Sequence, residues 1–177
     1  MQFIESRLRG AFLVQAEPIQ DDRGYFARTY CEREMAQRGL CSRFVQRNLS
    51  HNRRRGTLRG MHFQRVPFAE AKLVTCVRGS LHDVIVDLRS GSPTLHHWQA
   101  FVLRADTPAS LYVPEGFAHG FQTLEDDTVV DYLMSSFYEP GSSGGIRWDD
   151  PRLSIEWPDA DERVLSDRDS SYDLLPA

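Results

Sequence analysis

Apolar and polar positions alternate in short bursts along this chain, and almost nowhere with the period of a helix. Leu81-His82-Asp83-Val84-Ile85-Val86-Asp87-Leu88 is the plainest burst, with Asp83, Ile85 and Asp87 on one face of an extended chain. Similar β-branched or aromatic runs at 11–16, 25–30, 44–48, 57–63, 72–77, 98–103, 110–113, 117–124 and 129–134 also predict strands. One stretch predicts a helix: 32–38 is rich in helix formers, and Gly39 stands where a helix stop belongs. Residues 77–81 read as a hairpin turn, and 89–93 and 113–117 as further turns. Many short strands in close succession predict an all-β barrel or sandwich, and strands partly apolar on both faces fit a jelly roll. After Gly141 the alternation lapses. Trp148 and Trp157 there predict an irregular C-terminal wrap pinned by two indoles.

Length and charge narrow the function. At 177 residues the chain can bury a core without a disulfide or metal staple, so 1–177 reads as one domain. Its net charge is −4, where a nucleic-acid binder would normally be basic. No apolar run is long enough for a membrane span. Glu5, Arg7 and Arg9 fall where a signal peptide needs an apolar stretch. These features predict a cytoplasmic protein whose Cys31, Cys41 and Cys76 are reduced thiols.

Pro114-Glu115-Gly116-Phe117-Ala118-His119 matches the second sequence motif of cupins, which are small jelly rolls. A cupin metal site would need a first motif with two histidines and a glutamate, and Gly60-Met61-His62-Phe63-Gln64 offers one histidine. No metal is expected, and the chemistry falls to side chains. His62 reads either as a satisfied core histidine or as an acid–base group. Lys72, opening the apolar run 73–77, either snorkels at a strand end or faces a polar interior. In a regular strand Arg59 and His62 face opposite sides; they can share a cavity only if the chain bulges, and Gly60 is the place. Asp83 and Asp87 either lie on a solvated face or line a polar cavity with Lys72 or His119 as partner. Arg53-Arg54-Arg55 reads as a solvated loop, and Tyr132 and Tyr138 alone read as ordinary sheet aromatics.

Taken together, Gly56-Thr57-Leu58-Arg59-Gly60-Met61-His62-Phe63-Gln64, Ala71-Lys72-Leu73-Val74, Asp83-Val84-Ile85-Val86-Asp87-Leu88-Arg89 and Pro114-Glu115-Gly116-Phe117-Ala118-His119-Gly120-Phe121 resemble the dTDP-4-dehydrorhamnose 3,5-epimerase family. Asp22-Arg23-Gly24 and Ser166-Asp167-Arg168-Asp169 extend the match over nearly the whole chain. The resemblance implies a metal-free, cofactor-free, cupin-like jelly roll with a few short helices, working as a homodimer. It implies epimerisation of a nucleotide-linked 4-keto-6-deoxyhexose, with dTDP as the favoured carrier. His62 would be the base, Asp169 its orienting carboxylate, Tyr132 the acid on the opposite face and Lys72 the enolate stabiliser. Arg59 and Arg23 would hold the diphosphate, Arg23 from the partner subunit. Asn48 and His119 would line the site, and Tyr138 would stack on the base.

The chain departs from the family pattern at four positions. Arg28 and Ser143 stand where acidic residues are usual, Leu49 where histidine is, and Arg168 where lysine is. Arg28 is read either as a cation beside the ligand or as pointing to solvent at a strand end, and Arg168 is expected among the substrate contacts, with looser discrimination among nucleotides as the result. An epimerase acting at C3 alone, or on another nucleotide sugar, is the competing reading within the class. A metal-dependent or non-catalytic sugar-binding cupin is the competing reading outside it.

Overall fold

A computed structural model describes residues 1–175. Along the chain run β1 (Gln2–Glu5), β2 (Phe12–Gln15), β3 (Ile19–Asp21), β4 (Gly24–Phe26), α1 (Glu32–Ala36), β5 (Gln46–Asn52), β6 (Leu58–Gln64), β7 (Lys72–Arg78) and β8 (Ser80–Asp87). They are followed by β9 (Trp98–Arg104), β10 (Ala109–Val113), β11 (Phe117–Thr123), β12 (Thr128–Met134), β13 (Ser143–Gly145) and α2 (Asp167–Ser170). One antiparallel sheet has the order β1-β2-β10-β7-β12-β5, and a second faces it in the order β13-β6-β11-β8-β9. Strands β3 and β4 form a separate hairpin.

The alternation in the sequence maps onto these layers. Leu81 and Ile85 of β8 point between the sheets, where they meet Val74, Leu111, Val130 and Phe121. Val84 and Val86 point the other way, into a second cluster with Ile146 and Leu153 of the C-terminal segment. Both faces of β8 are therefore buried, and its sequence is apolar almost throughout. Each such aliphatic side chain contributes about 1.5–3 kcal/mol by leaving water. The C-terminal wrap is pinned in part as expected: Trp157 packs edge-on against His82 of β8, ring centres 5.9 Å apart, and its Nε1 donates to the Trp148 carbonyl at 2.9 Å. The indole that bonds wrap to barrel, however, is Trp98 of β9, whose Nε1 donates to the Leu153 carbonyl at 2.9 Å.

Two expected turns have a different meaning. Residues 77–81 do not close a hairpin, because β7 pairs with β10 and β12 while β8 pairs with β9 and β11. Gly79 and Ser80 carry the chain across from one sheet to the other, and 113–117 does the same between β10 and β11. Only 89–93 lies inside a hairpin, between β8 and β9. Such corners give a jelly roll, because neighbours in sequence end up in facing layers. The run at 25–30 shortens to β4, and β1, β3 and β13, too short to show an alternation, were not expected.

Gly60 is where β6 breaks step. His119 pairs with His62 but Phe121 with Arg59, so β6 holds one residue more than β11 between those pairs. A Cβ on Gly60, at φ +129°, would stand 2.5 Å from the Cα of Gly120. The two backbones touch where neither strand can carry a side chain. Gly60→Ala should therefore lower stability by about 3 kcal/mol or more, from the strained φ and the clash combined. Gly141→Ala, whose Cβ would meet only Glu139 Oε1 at 3.7 Å, should change it by less than about 0.5 kcal/mol. Urea unfolding of both variants checks the contrast; a loss below about 1 kcal/mol for Gly60→Ala would contradict the packing argument.

Candidate active site

A cavity of about 310 Å³ opens between the two sheets. The extra residue at Gly60 turns both Arg59 and His62 into it, while Met61 packs outward into the second apolar cluster. Lys72, His119, Tyr132, Asn48, Tyr138 and Arg168 also line it. His62 and His119 stand on the five-stranded sheet, Tyr132 and Lys72 on the six-stranded one.

His62 Nε2 lies 2.6 Å from Asp169 Oδ1. Asp169 sits on α2, whose N-cap Ser166 accepts the Asp169 backbone N–H at 3.1 Å and holds the short helix against β6. Burial alone would raise the Asp169 carboxyl. The hydrogen bond and charge of His62, with the Gly60 backbone N–H and Ser166, outweigh burial and hold it below the usual carboxylate range. With Asp169 at Nε2, Nδ1 is the ring nitrogen left to take a proton. Tyr172 packs edge-on against the imidazole, ring centres 5.8 Å apart.

Tyr132 is moved in the opposite direction. Burial, and then the nearby Asp83 carboxylate, push its phenol well above the ordinary value, against the pull of Arg59 and the Ser50 hydroxyl. Its proton is therefore firmly held at neutral pH. Asp83 is completely buried and bonds His119, with Oδ1 to Nε2 at 2.8 Å. Asp83 is thus not on a solvated face; it pairs with His119 as one reading allowed, but from behind the cavity lining rather than in it. Asp87 is equally buried, but it is bound by Arg89, Ser92 and Thr94 at the end of its strand. Lys72 does not snorkel: it is 5% exposed, with Nζ 3.3 Å from Glu70 Oε1.

At the mouth, Arg168 Nη2 donates to Ser143 Oγ at 2.7 Å, so two departures from the family pattern form one contact. Hydrogen bonds from Arg168 and Ser143 lower the phenol of Tyr138, which is half exposed. Arg59 is also exposed, and its Nε donates to Oδ1 of buried Asn52 at 2.7 Å. Leu49 stands exposed at the edge.

Two expected residues are elsewhere. Arg23 is on the β3–β4 hairpin, exposed and paired with Asp21. Arg28 does not meet the ligand cavity; it pairs with Glu34 at 3.2 Å beside Ile19 and Phe26. Sequence reasoning also missed Glu70, Gln64, Ser50 and Gln46, all of which line the cavity. A carboxylate two residues before Lys72, the same-face spacing of a strand, was the signal available for Glu70. Among the described residues no three His, Cys, Asp or Glu side chains cluster as metal ligands do. The arrangement can take a proton from a carbon acid on one side, meet a developing oxyanion with Lys72, and give a proton back from the facing sheet.

Comparisons with known proteins agree on one family. A sequence profile described as dTDP-4-dehydrorhamnose 3,5-epimerase matches residues 5–176. The chain is 44% identical over 163 residues to a dTDP-4-dehydrorhamnose 3,5-epimerase of Sinorhizobium fredii, covering 92% of this chain and 84% of that one. A crystal structure of the Bacillus anthracis dTDP-4-dehydrorhamnose 3,5-epimerase with TDP and pyrophosphate bound superposes with TM-score 0.94 at 40% identity, covering 98% and 99% of the two chains. A Legionella pneumophila dTDP-6-deoxy-D-glucose-3,5-epimerase in complex with dTDP-4-keto-L-rhamnose gives TM-score 0.92 at 33% identity, covering 98% and 92%.

The lowered Asp169 carboxyl makes a stability prediction. A carboxyl depressed in the folded state stabilises fully above its unfolded value, about pH 4, and that contribution is lost as pH falls through the folded value. Wild type should therefore be more stable than Asp169→Asn near neutrality, and the gap should shrink as pH falls toward about 3. Urea titrations of both proteins along that range measure it. A gap independent of pH would mean that Asp169 is not ionised against His62.

Proposed function

The chain belongs to the dTDP-4-dehydrorhamnose 3,5-epimerase family, and on that premise we propose how its own residues divide the work of inverting a nucleotide-linked 4-keto-6-deoxyhexose. The observation that carries the reading is the placement of the His62–Asp169 pair and Tyr132 on facing sheets of one cavity, with Lys72 beside them. A C–H next to a ketone is too weak an acid for an unaided imidazole. Lys72 lowers that barrier by meeting the C4 oxygen as it becomes an enolate, from a site already stripped of water. His62 takes the proton through Nδ1, and Asp169 stabilises the imidazolium that results. Tyr132 returns a proton to the other face of the carbon, and the centre inverts. The enolate carbon is basic enough to draw the proton from a phenol held this tightly. No electrons are gained or lost, so the step asks for no redox partner.

Arg59 serves the diphosphate, Asn48 and His119 the sugar, and Tyr138 with Arg168 the base. Stacking on Tyr138 is worth about 1–3 kcal/mol and tolerates any base. The Arg168–Ser143 contact replaces a carboxylate at the mouth, so dTDP is the favoured carrier with modest discrimination. We read the chain as one domain working in the cytoplasm as a homodimer. Support for the dimer lies in the β3–β4 hairpin, where Ile19, Tyr25 and Phe26 are exposed beside Arg23. A second subunit would cover that apolar surface and receive Arg23 at its diphosphate position.

Incubation with dTDP-4-keto-6-deoxyglucose in deuterated water should place deuterium at C3 and C5; deuterium at C3 alone would mark a single-site epimerase. His62→Ala should slow exchange by about 10²–10⁴-fold while dTDP binding persists, and a loss under about tenfold would end its assignment as base. Mixing Arg23→Ala and His62→Ala subunits tests the arm. If Arg23 acts across the interface, one site of each mixed dimer is whole and activity returns. No recovery on mixing, or a stable active monomer in sedimentation, would refute the shared site.

A further inference from the structure

Lys72 can stabilise an enolate only if its ammonium is aimed. Nζ carries three N–H donors. Nζ donates to the His62 carbonyl at 3.3 Å and stands 3.3 Å from Glu70 Oε1 as an ion pair, which leaves it a hydrogen to turn into the cavity. Glu70 is buried as deeply as Lys72, each side chain being 7% exposed. Its other oxygen accepts from Gln64 Nε2 at 3.0 Å. Gln64 is itself clamped: Nε2 also reaches the carbonyls of Phe68 at 3.0 Å and Phe137 at 3.2 Å, and Oε1 accepts the Glu139 N–H at 2.7 Å. A chain of contacts thus runs from fixed backbone through an amide and a carboxylate to the ammonium.

Resting on the assignment of Lys72 above, we propose that Glu70, held by Gln64, is a positioning residue that aims the Lys72 ammonium at the enolate oxygen. A carboxylate beside the ammonium weakens the field that the enolate would feel, so its charge is no help to the oxyanion. What it supplies is a fixed acceptor. Without one, a four-carbon stem is free to swing, and a misplacement of about 1 Å can cost about 10²-fold in rate. The same amide binds the backbone on both sides of Tyr138, at Phe137 and Glu139, so the mouth of the site and the oxyanion position share one anchor.

The order of two conservative variants separates aim from charge. Glu70→Gln drops the charge and gives up the bond from Gln64 Nε2, which keeps its two carbonyl acceptors. It still keeps an oxygen within reach of Nζ on a stem of unchanged length, and kcat should stay within about threefold of wild type. Glu70→Asp keeps the charge on a stem one methylene too short to span Gln64 and Lys72, and kcat should fall by about 10–100-fold with the dTDP dissociation constant unchanged. Retained dTDP binding shows in each case that the variant is folded. Glu70→Asp combined with Lys72→Met should be no slower than Lys72→Met alone, because the first acts only through the second. The reverse order, with Asp active and Gln impaired, would overturn the proposal, as would losses that multiply in the double variant. If Lys72→Met leaves kcat unchanged, the assignment of Lys72 itself fails and the proposal falls with it; a slow Lys72→Met with multiplying losses overturns the proposal alone.

Discussion

Two glycines in contact govern this molecule. Gly60 and Gly120 lie on neighbouring strands whose backbones approach too closely for a Cβ on either: on Gly120 it would meet Met61 Sδ at 2.6 Å and the Arg59 carbonyl at 2.8 Å. That approach lets β6 carry its extra residue. Three things follow from it. Arg59 joins His62 in the cavity although regular alternation would separate them. Met61 turns outward to anchor the C-terminal segment. The Gly60 backbone N–H comes near enough to Asp169 to help hold its carboxyl low. An arginine, a histidine and a carboxylate thus owe their arrangement to a missing side chain.

The polar interior obeys a simple economy of partners. Asp83 faces His119, Glu70 faces Lys72, Asp169 faces His62 and Asp87 faces Arg89. Each acid is nearly inaccessible to water, and each meets a cation or an imidazole, as burial of charge demands. The pairs differ in what they leave free. Asp87 is fully engaged and works as a fastener. The pairs around the cavity leave a nitrogen or a hydrogen pointing at whatever enters it.

Strand existence was legible because β-branched and aromatic runs stand between turn residues, even in β8 and β11, where both faces are buried. Topology was less so. A turn around Gly79 has the same residues whether it closes a hairpin or crosses between sheets, and only distant pairing decides. The barrel residues of the site stood out, since His62 and Lys72 interrupt apolar runs. The bulge at Gly60 could be foreseen because two residues of wrong parity were needed on one side. Glu70 was missed because an acid at the start of a strand is normally solvated; its burial depends on a glutamine six residues earlier. Arg28 lies outside this chain's own cavity for a local reason. The family pattern put it at the ligand, whereas Glu34, two residues into α1, captures it locally.

The carboxylate behind His62 comes from beyond every strand of either sheet. Buried Asp150 fastens that late segment by accepting the backbone N–H groups of Arg152 at 2.8 Å and Leu175 at 2.6 Å. The strands therefore supply His62, Lys72 and Tyr132, and the acid beside the imidazole arrives on a separate stretch of chain. Anything that loosened the grip of Asp150 on that stretch would be felt at the imidazole, far along the chain from the strand that carries it.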